Sequence, residues 1–162
     1  MNSYHDILQQ SVPQLIRALG RMQVEDALSA IAGHFPGKAV LTDSFSLEDQ
    51  LIRGIIERHH LPIRIHSWDT EIIHTGSLLL DLTEAEQAYS SSGHEALQGR
   101  LFWIRGHRAA QDSSLPLMRW NAAHHMVEYH PFSNWTDEEL RDYIRRHPLP
   151  SMPSLSRMPH RN

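Results

Sequence analysis

The stretch from Lys38 to Thr70, KAVLTDSFSLEDQLIRGIIERHHLPIRIHSWDT, constrains the chain most, because it reads as strand, loop, helix and strand. Ala39-Val40-Leu41-Thr42 is a short, largely apolar run between Pro36-Gly37 and a polar loop, the pattern of a buried strand. Ser46, with Asp49 three residues on, has capping-box spacing and sets a helix start near Leu47. Leu47, Leu51, Ile52, Ile55 and Ile56 then share one helical face. His59-His60-Leu61-Pro62 ends the helix, and Ile63 to Trp68 is β-branched enough for a second strand. Such a βαβ unit leaves its first loop at the carboxyl end of the sheet, beside a helix N-terminus. Free backbone N–H groups at that place attract anions, phosphate or sulfate above all.

With 162 residues, the chain has room for one domain, which we place over residues 1–150, with 151–162 as an irregular tail rich in proline. The composition, 40% hydrophobic and 21% charged, is that of an ordinary globule. A net charge of −4 argues against a protein that coats nucleic acid, so no nucleic-acid partner is expected. No run is apolar enough to span a bilayer and the start has no signal-peptide pattern, so a cytoplasmic protein away from membranes is expected. Cysteine is absent, which removes disulfides, thiolate ligands and thiol nucleophiles together. The thirteen histidines do not supply a metal site: His59-His60 and His124-His125 are adjacent pairs that point to different faces, and no HExxH ladder occurs.

The remaining elements follow from periodicity. Residues 1–20 read as a helix with Ile7, Leu8, Leu15, Ile16 and Leu19 inward and Pro13 breaking or restarting it. Val24, Ala27, Leu28, Ile31 and Phe35 mark a second helix, stopped by Pro36-Gly37. A further helix is expected over 77–89, followed by a flexible Ser90–Gly93 connection. Leu101 to Ile104 and Met126 to Tyr129 read as strands three and four. Thr136 and Glu139 make a capping box for a helix to about His147, with Trp135 placed to staple against Leu140. The fold class is α/β, a mainly parallel, doubly wound sheet with helices on both faces. In such a sheet the Ser44 loop and the Arg108 loop should line one crevice, with Asp69 on its wall.

Four segments in order, HFPGKAVLTDSFSLEDQLI, SWDT, WIRGHRAAQDS and FSNWTDEELRDYIRRHPLP, resemble the sulfonucleotide reductases. These are the phosphoadenylyl-sulfate and adenylyl-sulfate reductases of the adenine-nucleotide α-hydrolase-like superfamily. The resemblance covers most of residues 30–150. It implies that Ser44, Phe45, Ser46, Glu48, Asp49 and Gln50 form the loop that cradles a nucleotide phosphate. It places Asp69 and Thr70 near the adenosine, and Gly106, Arg108 and Gln111 in a third binding loop. The implied ligands are adenylyl sulfate, phosphoadenylyl sulfate or a related adenine nucleotide. No further cofactor is implied, and a protein partner or a homo-oligomer is compatible with it. The physical reading runs alongside: Gly106 permits a tight turn, and Arg105 and Arg108 offer fork-shaped donors suited to phosphate or sulfate. Ser44 and Ser46 can act as helix caps or as ligand contacts, and both readings stand.

The departures from the family are equally specific. Glu71 stands in the family's glycine position and Asp112 in a serine position. The interval between Asp69 and Trp103 is short, and the expected Arg-Lys element is not recognisable in it. The family's reductive step uses a cysteine that attacks sulfur; no side chain here replaces that thiolate, so no catalytic residue is assigned. The loop Ser44-Phe-Ser-Leu-Glu-Asp is also not the Ser-Gly-Gly-x-Asp-Ser loop of ATP pyrophosphatases. Three readings follow: a nucleotide-binding protein of sulfur assimilation without catalysis, a reductase whose thiol comes from a partner, or an accessory or scaffold subunit with a vestigial site.

Overall fold

The structure, a computed structural model, describes residues 3–67, 96–109 and 114–147. The order is α1 (Tyr4–Leu19), α2 (Val24–His34), β1 (Ala39–Asp43), α3 (Leu47–Arg58), β2 (Arg64–Ser67), β3 (Phe102–Ile104), β4 (Met118–Asn121), β5 (Met126–Tyr129) and α4 (Asp137–Arg146). The five strands form one sheet in the order β2-β1-β3-β5-β4. The first four lie parallel, and β4 pairs antiparallel with β5 at the edge. The mainly parallel α/β sheet is the one expected. Strand order reverses about β1: β2 lies on one side of it and β3 on the other, which makes the carboxyl ends of β1 and β3 a switch point.

Every residue of β1 is buried, as a central strand covered on both faces requires. Alternation divides the sheet. Ala39, Leu41, Phe102, Ile104, Val127 and Tyr129 join side chains of the four described helices in the main core. Val40, Trp103 and Met126 face the other way and pack with Leu97, which sits in a helical turn at 96–97. On that second face Trp103 Nε1 donates to Thr42 Oγ1 at 2.8 Å, and the Arg105 guanidinium lies 4.4 Å from the Trp103 ring centroid.

Three local expectations need correction. Pro13 neither breaks nor restarts α1, which is continuous through it. Pro13 and Gln9, whose carbonyl loses its partner there, are both exposed, so water can serve that carbonyl. Ile7 is 52% exposed rather than inward, and Val12 takes the buried position one turn on. Ser46 caps α3, with its Oγ accepting from Asp49 N at 3.1 Å, but Asp49 does not complete the box because its carboxylate is engaged elsewhere. At α4 the box is complete: Thr136 and Glu139 exchange backbone-to-side-chain bonds of 3.0 and 3.1 Å. Trp135 and Leu140 both join the main core, and Trp135 lies edge-on to Phe132 and Tyr143.

Strand β4 is an addition. Only Met118 of its four residues is buried, so MRWN carries little of the apolar signal that marks the other strands. Its turn is fixed by Asn121, whose Oδ1 accepts from His124 N at 3.0 Å. The expected helix over 77–89, the connection at 90–93 and the tail at 151–162 lie outside the described residues.

Candidate functional site

The site is built where the loops after β1 and β3 meet. Asp43, buried at the end of β1, starts the first loop by accepting from Phe45 N at 2.8 Å through Oδ1. Its Oδ2 accepts from Arg53 Nη1 at 3.0 Å, which anchors the loop to α3. Phe45 then takes a φ of 64°, a left-handed conformation rare for a bulky residue, with 42% of its surface exposed. Gln50 Nε2 donates to Phe45 O at 2.9 Å and holds this conformation from the first turn of α3.

Asp49 is the clamp between the two loops. It is 2% exposed, and its Oδ2 accepts from Ser44 N at 2.9 Å and from Ser44 Oγ at 2.6 Å. Its Oδ1 accepts from Gly106 N at 2.7 Å, across 57 residues of sequence. The close approach explains the glycine: a Cβ on Gly106 would lie 2.4 Å from Asp49 Oδ1 and 2.9 Å from Glu48 Cβ. The second loop is fastened on its other side by Arg105 N donating to Tyr129 O at 3.0 Å and Ala109 N to Ser133 O at 2.7 Å.

These bonds leave a cleft of about 650 Å³ lined by Ser44, Ser46, Glu48, Gly106, His107, Arg108, Ala109 and Asp137. The expected convergence of the Ser44 and Arg108 loops is therefore present. Phe45, Asp49 and Gln50 support the cleft without lining it. Asp69, Thr70 and Gln111 lie outside the described residues, as do Glu71 and Asp112. His107 comes with the Arg108 loop, whereas Asp137 is a lining side chain that the sequence does not mark as a site residue. Asp137 is the first residue of α4, where an acid reads as a helix-start signal rather than a site residue.

Arg108 is fully engaged. Its Nε donates to Glu48 Oε1 at 2.7 Å, Nη2 pairs with Asp137 Oδ1 at 2.7 Å and Nη1 donates to Trp135 O at 3.2 Å. The hydrogen bond from Arg108 holds the Asp137 carboxyl below its ordinary pKa. The cleft thus combines a helix N-terminus, two serine hydroxyls and one guanidinium with two carboxylates that balance it.

Arg105, the other arginine of this loop, points away from the cleft. It pairs with the buried Glu128 at 3.0 Å, and Arg119 pairs with the other Glu128 oxygen at 2.7 Å. Burial pushes the Glu128 carboxyl up, but the hydrogen bonds from Arg119 and Arg105 outweigh it and hold the pKa below the ordinary value. Behind it, His130 is fully buried; its Nδ1 lies 3.2 Å from Pro116 O, while Nε2 has no hydrogen-bond partner. Burial pushes the His130 pKa down to about 4, so the ring is neutral at physiological pH. Among the described residues no group of three or more histidine or carboxylate side chains could hold a metal ion, and no helix is long and apolar enough to cross a membrane.

No protein-family model matches the chain. It is similar to adenosine 5′-phosphosulfate reductase of Allochromatium vinosum, with 26% identity over 157 residues, covering 70% of this chain and 61% of that protein. The enzyme of the same name from Agrobacterium fabrum aligns at 25% identity over 178 residues, covering 83% of this chain and 68% of that protein. A solved phosphoadenylyl-sulfate reductase of Candida auris, in a phosphate complex, aligns with a TM-score of 0.39 and 16% identity, covering 93% of this chain and 89% of that one. The chain spans 61% of the length of the first of these curated relatives. In its ordered motifs and in these sequence similarities the chain resembles the sulfonucleotide reductases, and its 162 residues carry no cysteine.

Proposed function

We propose that the chain binds adenylyl sulfate, its 3′-phosphorylated form or a related adenine nucleotide in the cleft between the Ser44 and Arg108 loops, and does not itself perform the reduction. The observation that carries this reading is the Asp49 clamp, with Oδ2 on Ser44 and Oδ1 on Gly106. It joins the loop that the resemblance implies cradles a nucleotide phosphate to the loop that carries Arg108, at the sheet's switch point and at the amino end of α3. The left-handed Phe45 supports it too, since strained backbone of this kind gathers at ligand clamps. The phosphate or sulfate would meet Ser44, Ser46 and the first turn of α3, with Arg108 turning from Glu48 and Asp137 toward the anion. Asp69, Thr70 and Gln111 are proposed to complete the nucleotide site. With no thiolate in the chain, a reductive step would need a thiol from elsewhere.

One observation favours a second reading, that of an accessory or scaffold subunit with a vestigial site. Glu48 and Asp137 already occupy Arg108 at 2.7 Å each. Calorimetric titration with adenylyl sulfate, phosphoadenylyl sulfate and adenosine bisphosphate separates the two. Saturable binding of at least one supports the nucleotide reading; no binding of any at millimolar concentration supports the scaffold reading.

A further inference from the structure

We propose that a second cavity, at the amino ends of the strands, binds a small phosphate monoester carried on an aromatic ring. The cavity has a volume of about 710 Å³, within the usual range for small-molecule sites. Its walls come from the start of α1, the turn after α2, the segment before β3 and the β4–β5 turn. Lys38 immediately precedes β1 and Leu101 immediately precedes β3, whereas the Ser44 and Arg108 loops leave the opposite ends of those strands. A five-residue strand puts the two sites roughly 15 Å apart.

The described lining residues carry one sign of fixed charge. Lys38 and Arg100 are fixed cations, four histidines stand around them, and the described lining residues include no carboxylate. That is notable in a chain whose net charge is −4. The nearest acid in sequence, Asp6, is turned to the α1 cap, accepting from Ser3 N at 3.0 Å. The cations are only partly served by the protein: Lys38 Nζ reaches Gly99 O at 3.4 Å, Arg100 Nη1 donates to Gly37 O, and Arg100 Nε is buried with no hydrogen-bond partner. The Lys38 ammonium and the Arg100 guanidinium both line the cavity and are donors suited to an anion. Two cations match the near-double charge of a phosphate monoester. Tyr4 and Phe35 line the same cavity and provide surfaces for a flat ring.

The test is a titration of the isotope-labelled chain with phenyl phosphate near neutral pH, followed by amide chemical shifts. The expected result is saturable shifts at residues 34–38, 98–100 and 123–125. Affinity should fall about tenfold or more in the Lys38→Ala, Arg100→Ala double variant, as loss of charge-assisted hydrogen bonds implies. Arg146→Ala, which removes one positive charge from the exposed face of α4, should leave it unchanged. If the double variant does not fold, Lys38→Ala alone carries the comparison, because that side chain is exposed. Shifts confined to residues 44–46 and 106–109, no saturable shift at millimolar concentration, or unchanged affinity on losing the cations would overturn the proposal.

Discussion

The backbone amide of Gly106 and the carboxylate of Asp49 lie 2.7 Å apart and join the two loops of the cleft, with no room for a Cβ between them. Gly106→Ala should therefore force the loops apart and destabilise the chain by about 1–3 kcal/mol. In a chain of this size that lowers Tm by roughly 2–12 °C. Thermal unfolding followed by circular dichroism measures it, and an unchanged Tm would show that the contact yields freely.

Asp49→Ala should cost a similar amount by a different route. It strands the buried Gly106 N–H and releases Ser44, and an unsatisfied buried donor costs about 1–3 kcal/mol. Denaturant unfolding reads this loss, and nucleotide affinity should fall with it because Ser44 loses its position.

The parts legible in the sequence were those with strong local signals. The β1–α3–β2 unit, the Thr136 cap and the meeting of the Ser44 and Arg108 loops all follow from apolar runs, cap residues and sheet topology. Asp49 was less legible, since its spacing from Ser46 suits a capping box; only a fold that brings Gly106 alongside shows its carboxylate bonding there. Strand β4 escaped because pairing with β5, rather than its own pattern, makes it a strand. The two carboxylates on Arg108 come from α3 and α4, and no spacing along the chain announces that encounter.

Those carboxylates set up an affinity change in the unusual direction. Glu48→Gln or Asp137→Asn removes a competitor for Arg108, so an anionic nucleotide should bind about two- to fivefold more tightly, the range for a partly exposed ion pair. Calorimetry measures this, and weaker binding in both variants would mean that the acids hold the ligand rather than compete with it.

His130 should make stability depend on pH. Its folded pKa of about 4 lies below the ordinary histidine value, so the unfolded chain binds the proton more readily. The contribution is complete above roughly pH 6.5 and is lost as pH falls toward 4, amounting to at most about 3 kcal/mol. Depression of Glu128 adds a loss at lower pH, below the ordinary carboxylate range. His130→Phe should flatten the slope between pH 6.5 and 4 in urea-unfolding series; an equal slope in both proteins would assign it elsewhere.

Chemistry at sulfur gives a further outcome. The 162-residue chain, supplied with adenylyl sulfate and either thioredoxin or glutathione, should release no sulfite, since it has no thiol of its own. Sulfite formation proportional to protein concentration, in a preparation free of host reductase, would contradict this.

Calorimetry of adenylyl sulfate binding to the parent chain, Arg108→Ala and Arg146→Ala tests the central claim most directly. Arg108 lines the cleft, whereas Arg146 lies exposed on α4. If Arg108 turns to the anion, its loss should weaken binding by about 1.5–3 kcal/mol, the range for hydrogen bonds to charged groups. That is roughly ten- to more than a hundredfold in affinity, with Arg146→Ala indistinguishable from the parent. No binding by the parent at millimolar concentration, or equal affinity in parent and Arg108→Ala, would contradict a nucleotide site between these loops.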